Sequence, residues 1–366
     1  AVIFESGSSA RIADIIGGRM KRPVFVTDKG VVSFGLVDPA LESLRQAGLD
    51  VLVFDDVAAD PPAQVVREAV RRAREHGADG VIGFGGGSSL DTAKLVAVLL
   101  DSGQSLEDVY GVDNVTGPRA PLVLLPTTSG TGSEVTNISV VTSDDMRKIG
   151  VVADQLFPDM AIVDARLTLT APRGVTAATG IDAMVHAIEA YTSKLRRNPM
   201  SCALAREALG LLANNILRAC DSPDDLEARE AMSIGATIAG QAFANAPVAA
   251  VHAMAYPLGA IFHVPHGVSN ALMLSPVLKF NADVAADQYA ELGPVVGVKA
   301  DATAFIDRMV ELCEASGTPL RLTEVGVNHN DLPKMAQDAS ANERLMQNNP
   351  RPVTYEDALR LYTEVL

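Results

Sequence analysis

Four residues in the second half of the chain have side chains and spacings suited to binding a metal ion: Asp182, His186, His252 and His266. Asp182 and His186 lie four residues apart, so a helix would place this carboxylate and imidazole on one face. The chain holds six histidines, and four of them (186, 252, 263 and 266) lie between residues 180 and 272. Three imidazoles and one carboxylate suit a borderline divalent metal such as Fe²⁺ or Zn²⁺. The pattern therefore predicts a metal site, the alternative being hydrogen-bonded polar residues of a helical core.

A glycine-rich segment, GFGGGSSLDTAK at 83–94, follows a predicted strand and begins a predicted helix. Consecutive glycines let the backbone approach a ligand closely, and the helix N-terminus offers free N–H groups to a phosphate. The spacing departs from the usual G-x-G-x-x-G pattern because Ser88 occupies its last position. The segment predicts a phosphate-binding loop, with a glycine-rich turn that binds nothing as the alternative.

A second loop, PTTSGTGSEVT at 126–136, is rich in hydroxyl side chains and also follows a predicted strand. Its Thr and Ser residues can donate hydrogen bonds to phosphate or carboxamide oxygens, although they can equally cap a helix. Two such loops at strand ends predict a ligand at the carboxyl edge of the sheet, where open α/β sheets bind nucleotides.

Asp28 ends the first long strand, in FVTDKG. A carboxylate there can accept hydrogen bonds from both ribose hydroxyls of an adenosine and would repel a 2′-phosphate, which favours NAD over NADP. An ordinary turn aspartate explains the residue equally well.

The elements that position these residues are predicted from the pattern of apolar residues. In the first part of the chain, short Val/Leu/Ile-rich runs alternate with helical patterns near 36–48, 62–76 and 88–100, which is typical of a mainly parallel sheet with crossover helices. The predicted strands are 23–27, 51–54, 80–84, 121–125, 149–152 and 160–164. After Pro172 strand patterns nearly vanish and apolar residues recur at helical spacing. We expect an α/β domain over 1–172 and an all-α domain over 173–366.

Composition and charge exclude several classes of partner. The net charge of −15 argues against nucleic acid and anionic membranes, because phosphates would be repelled. No apolar run approaches the ~20 residues that span a bilayer, and residues 1–16 lack the basic start and apolar core of a signal peptide. The three cysteines are widely spread and indicate reduced thiols. We therefore expect a cytoplasmic protein that acts on a small molecule.

Taken together, the motifs GGGSSLDTAK, PTTSGTGSEVT, ATGIDAMVHAIEAY, HAMAYPLG, PHGVSNAL and NNPRPVT resemble those of the iron-containing (group III) alcohol dehydrogenases, of the lactaldehyde reductase and 1,3-propanediol dehydrogenase type. The resemblance covers essentially the whole chain. It implies a dehydroquinate synthase-like fold with an N-terminal Rossmann-like NAD-binding domain, a C-terminal helical metal-binding domain and the site in the cleft between them. It also implies a homodimer or higher homo-oligomer.

The resemblance carries the family's site residues onto this sequence. The implied metal ligands are Asp182, His186, His252 and His266, holding Fe²⁺ or alternatively Zn²⁺. The implied contacts to NAD are Asp28, Asp60, Gly85, Gly86, Gly87, Ser88, Thr127, Thr128, Thr131, Lys148 and Leu167.

Two positions depart from the family pattern. Many relatives carry a second histidine four residues after the third ligand, where this chain has Tyr256, and relatives often have Asn or Asp where it has His263. The usual proton relay is therefore in doubt, and Tyr256 and His263 are the candidate catalytic residues. A phenol is a weak base at neutral pH, so we favour proton release through the cofactor ribose and water over both.

The resemblance implies hydride transfer between a short primary alcohol or diol and the nicotinamide of NAD, or the reverse reduction of an aldehyde. Three alternatives stay open: a zinc polyol dehydrogenase of the glycerol type, a dehydroquinate synthase-like lyase, and a binding protein without turnover. The lyase would need a basic cluster for its anionic substrate, and the predicted metal region offers only Lys194 at its margin.

Overall fold

The computed structural model describes residues 1–366, which form two compact units. The first unit comprises Ala1–Thr128 and Gly132–Thr170, and the second comprises Ser129–Thr131 and Ala171–Leu366. The assignment of one function to each part of the chain stays a prediction.

The first unit contains all nine strands: β1 (Val2–Phe4), β2 (Pro23–Val26), β3 (Leu52–Phe54), β4 (Gly80–Gly85), β5 (Gly111–Val112), β6 (Leu122–Pro126), β7 (Ile138–Thr142), β8 (Lys148–Val152) and β9 (Met160–Val163). Its five α-helices are α1 (Ile12–Ile16), α2 (Lys29–Ser33), α3 (Asp38–Gln46), α4 (Ala63–His76) and α5 (Gly87–Ser102). Short 3₁₀ turns span Ser8–Arg11, Glu107–Val109, Ser133–Val135, Asp154–Leu156 and Ala165–Thr168.

The main sheet is parallel throughout, with strand order β1-β9-β6-β4-β2-β3. Strands β2, β4, β6 and β9 are buried along their whole length, as expected for a sheet covered by helices on both faces. The strand order reverses between β2 and β4, so the segments that follow these two strands meet where such sheets bind ligands.

Helix α5 packs unusually close to the sheet because the facing strand carries Gly83. A Cβ atom there would lie 2.6 Å from both Ala93 Cβ and Leu124 Cδ2, a distance that no side chain tolerates. The glycine therefore fixes how closely α5 can approach β4, and with it the position of the loop between them.

The second unit is all helical. Its helices are α6 (Arg173–Thr192), α7 (Pro199–Asp221), α8 (Leu226–Asn245), α9 (Ala250–Phe262), α10 (His266–Leu292), α11 (Ala302–Ser316), α12 (Leu332–Ser340), α13 (Glu343–Met346) and α14 (Tyr355–Glu364). Short 3₁₀ turns span Gly293–Val296, Leu322–Val325 and His329–Asp331.

Helix α6 is the central element of this unit and is buried along most of its length. It contacts α7, α8 and α10. The first turn of α10 rests directly on its backbone, since a Cβ atom on Gly267 would lie 2.1 Å from the Ala178 carbonyl oxygen. This close approach brings the residue next to Gly267, His266, against the face of α6.

The predicted fold class is confirmed: a parallel α/β region precedes a helical region. All six predicted strands form, but 149–152 belongs to a separate three-stranded sheet of order β5-β8-β7 and not to the main sheet. No single helix is both long and apolar enough to cross a bilayer, and only α8 and α9 taken as a pair, bent by 107°, meet that criterion.

Candidate functional site

Three helices of the second unit bring the predicted metal ligands together. Asp182 and His186 lie on the buried face of α6, His252 lies in the first turn of α9, and His266 is the first residue of α10. Asp182, His186 and His252 are buried, whereas the side chain of His266 is 33% exposed. The cluster is therefore enclosed on one side and open on the His266 side.

The donor atoms of Asp182, His252 and His266 all lie within 4.8 Å of one another. Asp182 Oδ1 is 3.5 Å from His266 Nε2 and 3.8 Å from His252 Nε2. Ligand atoms about 2.1 Å from a tetrahedral ion are separated by roughly 3.4 Å. The observed spacing is thus close to that of a coordination shell.

The fourth predicted ligand, His186, is not one of the three residues whose donor atoms lie within 4.8 Å, and it lies beside them. Its ring stacks on that of His252, with centroids 4.7 Å apart, and on Phe243 at 4.4 Å. Burial lowers the pKa of His186 to about 3, so its imidazole is neutral and keeps a lone pair at physiological pH. Its Nδ1 atom is buried without a hydrogen-bond partner.

Asn270, one helical turn after His266, was missed by sequence reasoning. Its Nδ2 atom donates a 2.5 Å hydrogen bond to Asp182 Oδ1 and lies 3.2 Å from His252 Nε2 and 3.3 Å from His266 Nε2. Burial raises the pKa of Asp182, but the surrounding imidazoles and the Asn270 bond outweigh it and lower that pKa overall. Asp182 is therefore an anionic carboxylate.

Glu189 is a second residue that sequence reasoning missed. It lies on α6, three residues after His186, and is buried against the start of α9. Its carboxylate contacts His252 Nδ1 at 2.7 Å. The three-residue spacing between His186 and Glu189 was the only indication in the sequence that both lie on one face of α6. The contact between that face and the start of α9 is visible only in the fold.

These residues fit a divalent cation. The cluster combines the carboxylate of Asp182 with the imidazoles of His252 and His266. Two buried polar atoms of neighbouring residues, His186 Nδ1 and Asn270 Oδ1, have no hydrogen-bond partner. Buried polar atoms are normally paired, so such orphans point to a bound group.

The two candidate relay residues differ in their surroundings. The half-buried Tyr256 has its ring centroid 6.2 Å from that of His266. His263 is exposed at the C-cap of α9, where its backbone is left-handed with a φ of 56°. Tyr256 is therefore beside the ligand cluster, whereas His263 faces solvent.

In the first unit, the predicted phosphate loop forms the connection from β4 to α5. Gly85 has a φ of 154°, and a Cβ there would lie 2.6 Å from Ser89 Oγ. Gly86 is the N-cap of α5 without a side-chain cap, and Gly87 and Ser88 form its first turn. The first N–H groups of a 16-residue helix are therefore free of side-chain partners at this end.

Asp28 lies beside this loop. Its carboxylate accepts hydrogen bonds from Val31 N at 3.0 Å and from Ser89 Oγ at 3.1 Å. The first contact makes it the N-cap of α2, and the second ties the end of β2 to the start of α5. Asp28 therefore has the predicted turn role and lies at the carboxyl edge of the sheet beside the glycine-rich loop.

Asp60 and Lys148 form an ion pair on the same unit, with Lys148 Nζ 2.7 Å from Asp60 Oδ1. Asp60 adopts a left-handed backbone with a φ of 50°, and its N–H donates to Ser88 Oγ at 3.3 Å. The pair is therefore joined to the glycine-rich loop.

The remaining predicted cofactor contacts are distributed over both units. Thr127 donates its N–H to the Gly85 carbonyl at 2.9 Å, and Thr128 lies next to Gly86. Leu167 is buried in the core of the first unit. Thr131 belongs to the second unit, through the segment Ser129–Thr131.

Comparison with known proteins gives matches over the whole chain. The family models described as iron-containing alcohol dehydrogenase and as the Fe-containing alcohol dehydrogenase family, C-terminal, match residues 1–165 and 176–366 respectively. The chain is 40% identical over 355 residues to long-chain-alcohol dehydrogenase 1 of Geobacillus thermodenitrificans (strain NG80-2), covering 93% of this chain and 89% of that protein.

Two solved structures are similar over the full length. One, of a 1,3-propanediol oxidoreductase, has a TM-score of 0.96 at 32% identity and covers 100% of this chain and 98% of that one. The other, sulfoacetaldehyde reductase from Bifidobacterium kashiwanohense in complex with NAD⁺, has a TM-score of 0.91 at 29% identity, with coverage of 100% and 96%.

Proposed function

Because the chain belongs to the iron-containing alcohol dehydrogenase family, we propose that it interconverts a short primary alcohol or diol and the corresponding aldehyde. The chain is a metal-dependent, NAD-linked alcohol dehydrogenase, an oxidoreductase. The observation that carries the proposal is the cluster of Asp182, His252 and His266, whose donor atoms have the spacing of a coordination shell.

Four residues are proposed as the metal ligands: Asp182, His186, His252 and His266. The anionic Asp182 would balance part of the charge of a divalent cation, and neutral imidazoles would supply nitrogen lone pairs. We favour Fe²⁺ over Zn²⁺ because of the family. When bound, the ion supplies a Lewis acid that lowers the pKa of an alcohol or polarises an aldehyde carbonyl.

The first unit is proposed to bind NAD, with the boundary of the NAD-binding domain at residue 172 and the metal-binding domain over 173–366. Free N–H groups at the start of α5 would bind the pyrophosphate. Asp28 would accept hydrogen bonds from the adenosine ribose, and NAD itself supplies the hydride acceptor. Ten further residues are proposed as contacts: Asp60, Gly85, Gly86, Gly87, Ser88, Thr127, Thr128, Thr131, Lys148 and Leu167.

The protein's own contribution is to fix positions and charges before reaction. Asn270 holds the Asp182 carboxylate through a 2.5 Å hydrogen bond, which orients it toward His252 and His266. For proton release we propose the cofactor ribose and water, because Tyr256 carries a weakly basic phenol and His263 is exposed at the end of α9.

A substrate panel tests this function. Metal-free protein reconstituted anaerobically with Fe²⁺, and separately with Zn²⁺, is assayed by NADH absorbance against primary alcohols, diols, glycerol and their aldehydes. The proposal expects turnover of short primary alcohols or diols with Fe²⁺. Activity confined to glycerol with Zn²⁺ would indicate a polyol dehydrogenase, and NADH binding without turnover of any compound would indicate a binding protein.

We also propose that the chain acts in the cytoplasm as a homodimer or higher homo-oligomer. All three cysteines are free thiols, and two of them, Cys220 and Cys313, are buried. Strand β1 lies at the edge of the main sheet with Val2 47% and Phe4 37% exposed, so it offers an unpaired apolar edge to a second copy. Sedimentation of the purified protein as a monomer at micromolar concentration would contradict the dimer.

A further inference from the structure

Glu189 is a fully buried carboxylate whose bonds all go to the start of one helix. It accepts hydrogen bonds from Ala249 N at 2.8 Å, from Val251 N at 2.7 Å and from His252 Nδ1 at 2.7 Å. Its neighbour among the basic side chains is the imidazole of His252, and no lysine or arginine lies within ion-pair distance of it. A buried carboxylate without a basic partner is costly unless its hydrogen bonds compensate for lost hydration.

The backbone contacts make Glu189 the cap of α9. That helix has no side-chain cap of its own at Ala249, so its first N–H groups need acceptors from elsewhere. A carboxylate supplied by α6 satisfies two of them and lies at the positive end of the helix dipole. The start of α9, and with it His252, is thereby fixed to α6.

The third contact determines which nitrogen of His252 carries the proton. An ionised carboxylate can only accept, so His252 Nδ1 must donate to it. His252 Nε2 then presents its lone pair to the opposite side, where Asn270 Nδ2 lies 3.2 Å away and Asp182 Oδ1 3.8 Å away. The amide nitrogen of Asn270 is a donor only, so contacts on both sides of the ring require the same tautomer.

We infer that Glu189 is a positioning residue, which holds His252 as the Nδ1–H tautomer with Nε2 directed into the ligand cluster. This inference rests on the proposed metal-dependent function. A carboxylate behind a ligating imidazole both fixes the ring and makes the ligating nitrogen more basic, and loss of such a partner lowers metal affinity by about 10- to 100-fold.

The test is Glu189→Gln. In the wild type the carboxylate offers His252 Nδ1 only acceptor oxygens, whereas the glutamine amide has the same size and shape but replaces one of these oxygens with an NH₂ donor. In metal-free protein labelled with ¹⁵N-histidine, His252 of the wild type should show the Nδ1–H tautomer, assigned by loss of its signals in His252→Ala. In Glu189→Gln that population should fall, and Fe²⁺ or Zn²⁺ affinity, measured by chelator competition, should drop about 10- to 100-fold. NADH affinity should stay unchanged.

Ser193→Ala is the matched control for helix capping alone. Ser193 is buried and donates to the Pro247 carbonyl at 2.9 Å, so it anchors the same segment before α9 without touching His252. Its loss should lower the thermal midpoint while leaving metal affinity within about twofold. An equal loss of metal affinity in Ser193→Ala would overturn the inference, because stability of the segment would then explain the effect.

Two results separate this inference from the function itself. An Nε2–H tautomer for His252 in the wild type, or a Glu189→Gln protein that keeps both tautomer and metal affinity, overturns the role of Glu189 and leaves the dehydrogenase proposal intact. If Glu189→Gln does not fold, the tautomer of the wild-type His252 decides alone, and an Nε2–H tautomer there overturns the inference. If the wild-type protein binds no metal, the proposed function is contradicted. The tautomer of His252 in metal-free protein still tests whether Glu189 positions that ring.

Discussion

At the scale of single residues, the charge of Asp28 is predicted to set the choice between NAD and NADP. Asp28→Asn keeps an acceptor for Val31 N but removes the negative charge, and Asp28→Gly removes both. Both variants should improve kcat/KM for NADPH by at least about tenfold, because no carboxylate at position 28 then repels the 2′-phosphate of NADPH. Steady-state kinetics with both cofactors measure this. A wild type that already prefers NADPH would contradict the role of Asp28.

His263 offers a second prediction at this scale. Its left-handed φ of 56° is tolerated by asparagine, so His263→Asn removes the imidazole without straining the backbone. Because the exposed ring is not expected to relay the proton, the pH dependence of alcohol oxidation should be unchanged. Disappearance of an inflection between roughly pH 6 and 7.5, where imidazoles titrate, would assign the relay to His263.

Residue types and spacing predict a metal site, but they do not predict the residues that would support it. Asp182 and His186 could be predicted to lie together because they are four residues apart on one helix. His252 and His266 lie far away in the sequence, so they could be assigned to the same site only from their residue type and from the family resemblance. Glu189 and Asn270 escaped notice because a buried Glu or Asn acquires its meaning from the helix packed against it. Those tertiary contacts leave no periodic pattern in the sequence.

At the scale of elements, the loop before α5 is predicted to bind the pyrophosphate through its backbone. A Cβ atom on Gly86 would lie 3.7 Å from Thr128 Cγ2, an ordinary contact, and its φ of −75° suits any residue. Gly86→Val should therefore fold but weaken NADH binding by more than about tenfold, as a side chain would occupy the phosphate position. Fluorescence titration measures the affinity.

The matched control is Gly174→Ala, in the first turn of α6, where a Cβ atom meets nothing within 4 Å. It should leave NADH affinity unchanged. If Gly86→Val also binds NADH normally, the cofactor does not use this loop.

Helix α5 is also joined to residues 136–138 by hydrogen bonds from a buried lysine. Lys94 is fully buried and donates to Thr136 Oγ1 at 3.1 Å and to the Ile138 carbonyl at 2.8 Å. Burial lowers the pKa of Lys94 from 10.5 to about 8, and the negative charges of Asp91 and Glu134 offset this effect only in part.

This pKa predicts how stability depends on pH. Between about pH 8 and 10.5 the unfolded chain binds the Lys94 proton and the folded chain does not, so the group's contribution to stability rises with pH across this window. The Lys94→Met protein lacks this titrating group, so its stability does not show this increase with pH. The destabilisation caused by Lys94→Met should therefore grow by on the order of 3 kcal/mol from pH 7.5 to 10.5, measured by denaturant unfolding of both proteins. A difference independent of pH would contradict the lowered pKa.

The elements themselves were largely predictable because strands buried on both faces form apolar runs and crossover helices repeat at helical spacing. The small sheet of β5, β7 and β8 could not be predicted from the sequence. Strand β5 has two residues, β7 alternates in burial, and β8 was predicted as a later strand, without the antiparallel pairing with β7 that defines its sheet. Short strands that pair outside the main sheet carry too little pattern to identify.

At the scale of the whole molecule, the change from alternating strands and helices to helices alone was visible in composition and periodicity. The sequence could not show that Ser129–Thr131 packs with the helical unit, because nothing local distinguishes these three residues from the loop around them. A net charge of −15 is compatible with a small uncharged substrate such as an alcohol or aldehyde.

One divalent ion, proposed to be held by Asp182, His186, His252 and His266, is expected to be required for alcohol dehydrogenase activity. The most direct measurement is an anaerobic titration of metal-free protein with Fe²⁺, following NADH-dependent reduction of a short aldehyde. Activity should rise from near zero and saturate at about one ion per chain. His266→Ala should bind NADH normally yet lose most of this response. Full activity without metal, or unchanged activity and metal content in His266→Ala, would contradict the account.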